Sequence, residues 1–453
     1  MEELIADKYK VMKKLGSGSF GEIHLVVDTE TGLEYAVKLE SAKTKMPQLL
    51  YEVKLYKVLS GGTGVPDVHW YGLSGDHNCM IMDLLGRDLE DQFEYCKHKF
   101  TLQTVCMLAE QMLHRIEYLH SRSFIHRDIK PENFLFGIGK KRHTLHLIDF
   151  GLGKMYRNIK TGEHVEMTTE RSLIGTARYA SINAHLGYEQ SRRDDMCSIG
   201  YCLVYFLKGT LPWVGIKAKT KKDKYDLIQD KKLATSVEEL CEGAPKQFEK
   251  YITYCQSLKF EDKPDYSFCR RFFREVMKQN KYRNDPERFD WVVRKNALKK
   301  MQSKKANQEN NKVPKSPTND TSALSKKALG KNSKENKIQS TIKKRVVHKK
   351  QKSCGSPEAI ASINTSKMLK TLNSNALGGL LSTRNLKTSS MLKKNSNIRS
   401  RMKSSISSNM IAGLKTMVSN NSNKKSMLGA KTKNLARLRK INENNRKELL
   451  TRL

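Results

Sequence analysis

The chain of 453 residues carries 84 Lys and Arg against 47 Asp and Glu, a formal charge of +37, and 38% of its residues are hydrophobic. That apolar share supports a sizeable core but no membrane span, since the longest apolar run, 201–207, is far shorter than the ~20 residues needed to cross a bilayer. The opening Met1-Glu2-Glu3-Leu4 is acidic and lacks an apolar signal region, so a soluble chain of the cytoplasm, the nucleus or both is expected.

The charge is unevenly placed. Residues 301–453 hold 35 Lys and Arg against 6 Asp and Glu, whereas residues 1–300 hold 49 against 41. No Phe, Trp or Tyr follows Trp291, so the core is expected before that point. The segment 300–453, rich in Lys, Asn and Ser, is expected to be a disordered basic tail, because it cannot bury enough apolar surface to offset its chain entropy. The nine cysteines show no close metal-type pairing and read as reduced core thiols.

In chain order, Gly16-Ser17-Gly18-Ser19-Phe20-Gly21 is a glycine-rich hexad. Dinucleotide-binding folds use the same spacing but continue into a helix. Here Ile23, Leu25 and Val27 are apolar at period two, which predicts a strand. A strand–turn–strand of this kind is a flap whose backbone N–H groups can close over phosphates, and glycine keeps side chains from holding the backbone away. The flap residues are Leu15, Gly16, Ser17, Gly18, Ser19, Phe20, Gly21, Glu22 and Ile23. Lys38 follows in a predicted strand over 35–39, and Glu52 lies in a predicted helix over 48–59; a Lys–Glu pair would aim the ammonium at a nucleotide's inner phosphates. The apolar run 80–86 predicts a strand leading into a connector between two lobes. Backbone groups at Met82, Asp83 and Leu85 would meet an adenine edge, with Ile23, Ala36, Leu135 and Ile148 as its apolar walls.

Residues 102–120 predict a long helix with Val105, Leu108, Met112, Ile116 and Leu119 on one face. A loop follows: Ile125-His126-Arg127-Asp128-Ile129-Lys130-Pro131-Glu132-Asn133. Asp149-Phe150-Gly151 ends a strand-like alternation at 145–148. Phosphoryl transfer needs this set: Asp128 to orient and deprotonate a hydroxyl, Lys130 to neutralise the moving phosphoryl group, and Asn133 with Asp149 as hard oxygen ligands for Mg²⁺ beside ATP. A basic cluster, Arg178 with Lys217, Lys221, Lys222 and Lys224, suits phosphate.

Taken together these motifs resemble the eukaryotic protein kinases, and most closely the casein kinase I family. Lys130 two places after Asp128 is similar to the serine/threonine type. The segment Gly175-Thr176-Ala177-Arg178-Tyr179-Ala180-Ser181-Ile182-Asn183-Ala184-His185 resembles that family's signature, with Ser181-Ile182-Asn183 where most protein kinases have Ala-Pro-Glu. Glu189-Gln190-Ser191-Arg192-Arg193-Asp194-Asp195, Leu211-Pro212-Trp213 and Leu84-Leu85-Gly86 also match. The resemblance implies an α+β, two-lobed kinase fold over 8–295, with a small β-rich lobe over about 8–84, a connector at 83–86 and a larger helical lobe over about 87–295. It implies a monomeric, non-specific protein serine/threonine kinase using ATP and Mg²⁺, active without activation-loop phosphate. Asp195 would brace the catalytic loop. An anion site of Arg178, Gly215 and Lys224 would select substrates with acidic or phosphorylated residues upstream of the target hydroxyl.

Three departures from the family pattern stand out: Arg87-Asp88 at the connector's floor, Gly153 after the Asp149 motif, expected to loosen the activation segment, and Asn183, which cannot form the ion pair that Ala-Pro-Glu supplies elsewhere. In the tail, the basic run 343–350, Ser316-Pro317, Ser356-Pro357 and the amphipathic stretch 430–453 suggest import, modification or partner contact. The tail is expected to regulate or target the enzyme, its own phosphorylated residues serving as pseudo-substrates for the anion site. The alternative is a polyanion-binding protein, recruiting microtubules or RNA through the tail, with the folded part as anchor.

Overall fold

The computed structural model describes residues 4–18 and 21–310. Ser19 and Phe20 of the flap lie outside the described residues, as does the tail from residue 311 with its basic run, Ser-Pro pairs and amphipathic end. The described residues up to Asn296 form one compact unit. Among the described residues, 297–310 belong to a second unit and are helical to Asn310.

The small lobe is one antiparallel sheet of strands β1 (Leu4–Ile5), β2 (Tyr9–Gly18), β3 (Gly21–Asp28) and β4 (Glu34–Ser41), then helix α1 (Leu49–Leu59), then β5 (Val68–Ser74) and β6 (His77–Asp83), in the spatial order β1-β2-β3-β4-β6-β5. Because side chains alternate across a sheet, its two faces carry different residues. Ile5, Tyr9, Val26, Val37, Cys79 and Ile81 form a small core on one face. On the other, Ala36, Met80 and Met82 join α1 and the large lobe in the main core. The register aligns Ile23 with Lys38 and Lys38 with Met80, and one pleat along aligns Leu25 with Ala36 and Ala36 with Met82.

Helix α1 has no side-chain cap of its own, since Gln48 makes none. Instead Glu40 Oε1, from β4, accepts the N–H groups of Gln48 (2.7 Å) and Leu49 (3.1 Å). A buried carboxylate there satisfies orphan donors and favours the positive end of the helix dipole. Glu52, one turn on, is thereby held relative to the sheet.

The large lobe begins with α2 (Leu89–Tyr95), capped by Asp88, and α3 (Leu102–Ser121), capped by Thr101. The apolar face read for α3 is fully buried. Two short antiparallel pairings follow: β7 (Phe124–Ile125) with β10 (Lys154–Met155), and between them in sequence β8 (Phe134–Phe136) with β9 (Leu145–Leu147). After α4 (Ile182–His185), the central helix α5 (Arg192–Lys208) starts on a Ser191–Asp194 capping box and ends at Gly209, whose φ of 88° is the left-handed stop glycine supplies at low cost. In chain order follow α6 (Lys221–Ala234), α7 (Val237–Leu240), α8 (Lys246–Ser257), which packs on α5, α9 (Tyr266–Gln279) and α10 (Asp290–Asn310). Phe289 and Trp291 stack at 4.5 Å against Phe136. All eight cysteines among the described residues are free thiols, and no helix among those residues is long and apolar enough to cross a membrane.

Candidate active site

The nucleotide side of the cleft is built around Lys38. Its Nζ lies 2.7 Å from Glu52 Oε2 and 2.9 Å from Asp149 Oδ1, joining β4, α1 and the end of β9. Burial opposes the ammonium, but the two carboxylates raise the Lys38 pKa above the usual lysine range, so the cation is fixed. Burial also acts against Asp149, yet Lys38 holds that carboxyl below its usual value and ionised. Asp149 itself has φ 62°, a left-handed conformation unusual for a side-chain-bearing residue. Its N–H donates to Tyr56 Oη at 3.2 Å. The next residue, Phe150, is buried between two rings, Tyr56 at 4.9 Å and His126 at 5.5 Å. One run of edge-to-face rings thus connects α1, the Asp149 turn and the catalytic loop.

The loop from His126 to Asn133 is held from below by Asp195 on α5. Asp195 Oδ2 accepts the His126 N–H (2.7 Å) and a His120 ring N–H (2.9 Å), and its Oδ1 accepts the Arg127 N–H (2.9 Å). Burial pushes the Asp195 pKa up, but these donors bring it below the usual carboxylate range. The second of these amides is that of Arg127, whose φ is 68°. Arg127 Nε donates to Leu152 O at 2.7 Å, tying the loop to the segment after Asp149. His126 has both nitrogens committed: Nδ1 accepts the Asp128 N–H (3.2 Å) and Nε2 donates to Ile148 O (2.9 Å). That pairing sets the neutral tautomer and locks Asp128 to the strand before Asp149.

Asp128 is buried at the cleft floor. Lys130 Nζ lies 2.7 Å from its Oδ2, and Thr176 donates to its Oδ1 through both the backbone N–H and the hydroxyl, each at 2.8 Å. Gly175 permits this approach: its φ is 94°, and a Cβ there would sit 2.2 Å from Arg127 O. Asn133 Nδ2 donates to Asp128 O (2.9 Å), and Asn133 O accepts the Ile148 N–H (3.0 Å), which brings Asn133 beside the residue that precedes Asp149. The Asn133 amide oxygen and the Asp149 carboxylate are hard oxygen donors, the type that suits Mg²⁺ shared with phosphates.

The expected adenine walls Ile23 and Ala36 share one sheet face with Met82, and Leu135 and Ile148 are half-buried in and beside the β8–β9 pair. In the flap, Gly18 faces Gly21, Ser17 faces Glu22 and Gly16 faces Ile23 across the hairpin, while Leu15 is exposed. Two expected residues differ in what they offer. The Glu22 side chain, on the opposite face from Ile23, is bound by Lys14 (2.6 Å) and His24 (3.0 Å). The Asp83 carboxylate is taken up by His69 (2.8 Å) and Lys141 (3.1 Å), which against the effect of burial hold its pKa at about 2. Both therefore have only backbone to give a nucleotide. Leu85 is half-buried in the connector, where the next N–H, of Gly86, donates to Phe136 O (2.7 Å).

Gly153 does not loosen the activation segment. Its φ of −56° is ordinary, its N–H donates to Phe150 O (2.8 Å), and Tyr51 Oη donates to its carbonyl (2.9 Å). A Cβ there would lie 2.7 Å from Leu55 Cδ2, so the glycine lets α1 close onto the segment.

In the basic cluster, the Arg178 guanidinium lies over the rings of Tyr179 and Tyr205, 5.6 Å from each centroid, and donates to Tyr179 Oη at 3.3 Å. Lys217, Lys221, Lys222 and Lys224 are exposed, and none has a carboxylate within ion-pair distance among the described residues. Gly215 is exposed on a turn with φ 83°. No bond among the described residues joins Arg178 to Lys224 or Gly215; neighbouring side chains on their elements link them, Trp213 Nε1 donating to Arg178 O at 2.7 Å.

Sequence reading passed over Thr176, His126, Glu40 and Glu189 as site residues. Thr176 stood inside the segment read only as a signature, and its donation to Asp128 crosses 48 residues.

A strand-borne lysine held by a helix carboxylate, a left-handed aspartate at a strand end and an Asp–Lys–Asn loop beneath a glycine flap define a phosphotransferase cleft between a β-rich and a helical lobe. The family model described as the protein kinase domain matches residues 9–283, more than half of the chain, and the chain belongs to that family. It is a protein kinase, an enzyme that transfers phosphoryl groups to protein substrates, and domains of this family generally use ATP and Mg²⁺.

Proposed function

We propose that this kinase is a protein serine/threonine kinase of the casein kinase I type, transferring the ATP γ-phosphate to Ser and Thr hydroxyls with acidic or phosphorylated residues upstream. The arrangement around Asp128 carries this reading: Lys130 on one oxygen at 2.7 Å, Thr176 on the other at 2.8 Å. Asp128 orients the incoming hydroxyl and accepts its proton. Lys130 neutralises charge on the transferring phosphoryl group. Lys38, steadied by Glu52, holds the inner phosphates, and Asn133 and Asp149 hold Mg²⁺. When bound, the metal would offset negative charge on the phosphate oxygens. Residues 16–18, 21 and 23 cover the phosphates, and Ala36, Met82, Leu135 and Ile148 enclose the base. Arg178, Gly215 and Lys224 receive the upstream anion, a cationic group without carboxylate ion-pair partners among the described residues.

Independence from activation-loop phosphate is supported by Glu189. This buried carboxylate lies 3.0 Å from Lys154 and 3.2 Å from Arg171 and accepts from Thr168 Oγ1. An anion already occupies the centre of the activation segment. The basic segment 301–453, with 35 Lys and Arg against 6 Asp and Glu, favours a regulatory or targeting role for the tail, and a second reading in which it binds a polyanion such as a microtubule or RNA.

The test of the leading reading is Asp128→Asn on a phospho-primed serine peptide. Loss of the general base should lower the rate by about 10²–10⁴, with phosphoserine and phosphothreonine, not phosphotyrosine, as wild-type products. No transfer from ATP by the wild type, or a variant as fast as the wild type, defeats it.

A further inference from the structure

Lys232, two residues from the end of α6, is a buried amine with no carboxylate partner among the described residues. Its Nζ donates to Ala177 O (2.9 Å) and Ala180 O (2.5 Å) and lies 4.9 Å from the ring centroids of both Tyr201 and Trp213. Burying such a group costs free energy that an apolar side chain of similar length would not incur. What the amine adds is a bridge between two carbonyls three residues apart. In either protonation state it carries at least two N–H donors, one for each.

The bridged residues belong to a turn whose other carbonyls are also held. His185 Nε2 donates to Ala177 O (3.1 Å), Trp213 Nε1 to Arg178 O (2.7 Å), and Thr176 O accepts the N–H groups of Tyr179 (2.9 Å) and Ala180 (3.0 Å). Beyond it, Ser181 Oγ donates to Asp194 on α5. The turn thus has its inner carbonyls fastened, while Thr176 reaches Asp128 from its leading end and the Arg178 side chain leaves from its middle. At the position where an ion pair would otherwise anchor this stretch, the chain has Asn183.

We propose that Lys232 is a positioning residue for protein-substrate phosphorylation: its amino group fixes the 177–180 turn, and with it Thr176 and Arg178, in the place of the missing ion pair. The proposal rests on the reading of Asp128 and Arg178 as substrate-facing. α6 then has two tasks, since Lys224, eight residues and about 12 Å earlier along the helix, belongs to the proposed anion site.

The experiment is Lys232→Met in the full chain, with steady-state kinetics on a phospho-primed peptide and its unprimed counterpart, peptide-independent ATP hydrolysis and a thermal melt. Loss of two hydrogen bonds from one donor group should lower peptide kcat/KM by roughly tenfold or more, chiefly through KM, and shrink the primed-to-unprimed ratio. ATP hydrolysis should fall several-fold less. A variant that loses both reactions equally, or neither, overturns the proposal. Should Lys232→Met fail to fold, Trp213→Phe keeps a ring and removes one bond to the same turn. A smaller primed-to-unprimed ratio at unchanged KM for ATP supports the proposal, and an unchanged ratio overturns it. If the wild type shows no primed preference, the reading of Arg178 fails, while the effect of Lys232→Met on unprimed-peptide KM still decides for or against Lys232.

Discussion

The two ends of the cleft handle charge in opposite ways. At the nucleotide end, Lys38 is sheathed by Glu52 and Asp149, and Asp195 and Glu40 each saturate backbone donors. At the end proposed for the substrate, Arg178 rests on ring faces, and Lys217, Lys221, Lys222 and Lys224 are exposed without carboxylates in ion-pair distance among the described residues. The first region has compensated its charges within the fold, so its geometry exists before any ligand arrives. The second leaves positive charge uncompensated, which on the proposed reading a substrate's anion would compensate.

Breaking the compensated end should have the larger effects. Glu52→Ala removes one carboxylate from a buried cation. Loss of one partner of such a pair destabilises by ~3–5 kcal/mol when the other is left alone; with Asp149 still in place the fall in urea-melt stability should be smaller than that, accompanied by a rise in KM for ATP. At the open end, Arg178→Gln should cut kcat/KM for a phospho-primed peptide roughly 10- to 100-fold, the equivalent of one charged hydrogen bond of ~1.5–3 kcal/mol, and leave an unprimed peptide nearly unaffected. High salt should mimic it. Thr176→Val joins the two regions. It deletes one of two donors to Asp128 while keeping the backbone N–H, so single-turnover rates should drop by about tenfold or less, in keeping with a hydrogen bond worth ~1 kcal/mol.

The smallest effect concerns the connector's floor. Burial first, then the charges of Asp91 and Glu132, push the Asp88 carboxyl up to about 6 from 3.8. An acid with a raised folded-state pKa holds its proton better folded than unfolded. Its contribution to stability is therefore present below pH 3.8 and is lost as pH rises through about 6. Asp88→Asn keeps the cap to Asp91 N–H but cannot ionise. Its melting temperature relative to wild type should rise between pH 5 and pH 7.5; parallel curves would count against this.

What the sequence disclosed follows the same division. The flap, Lys38, the Asp128 loop and Asp149 were legible because each motif is contiguous, and the period of 102–120 announced α3 directly. Helix α5 was less legible: nearly every residue is buried, so no polar face interrupts its pattern and only its apolar stretch showed. Glu40 reads as a strand residue until α1 folds onto it, and Lys232 reads as one more lysine of a basic stretch, because its carbonyl partners lie 52 and 55 residues away. Strand alternation turns the Glu22 side chain away from Ile23, onto Lys14 and His24, a pairing that only the register of β2 and β3 reveals.

The placement of Phe150 between Tyr56 and His126 bears on which inhibitors the enzyme can accommodate. A compound that needs that ring to move must open a hole of phenylalanine size between α1 and the catalytic loop, and emptying such a site costs ~3–5 kcal/mol, a deficit of more than a hundredfold in affinity. Compounds that occupy only the space beneath the flap meet no such barrier. Medicinal chemistry on this protein should therefore favour flat molecules that leave the ring where it is.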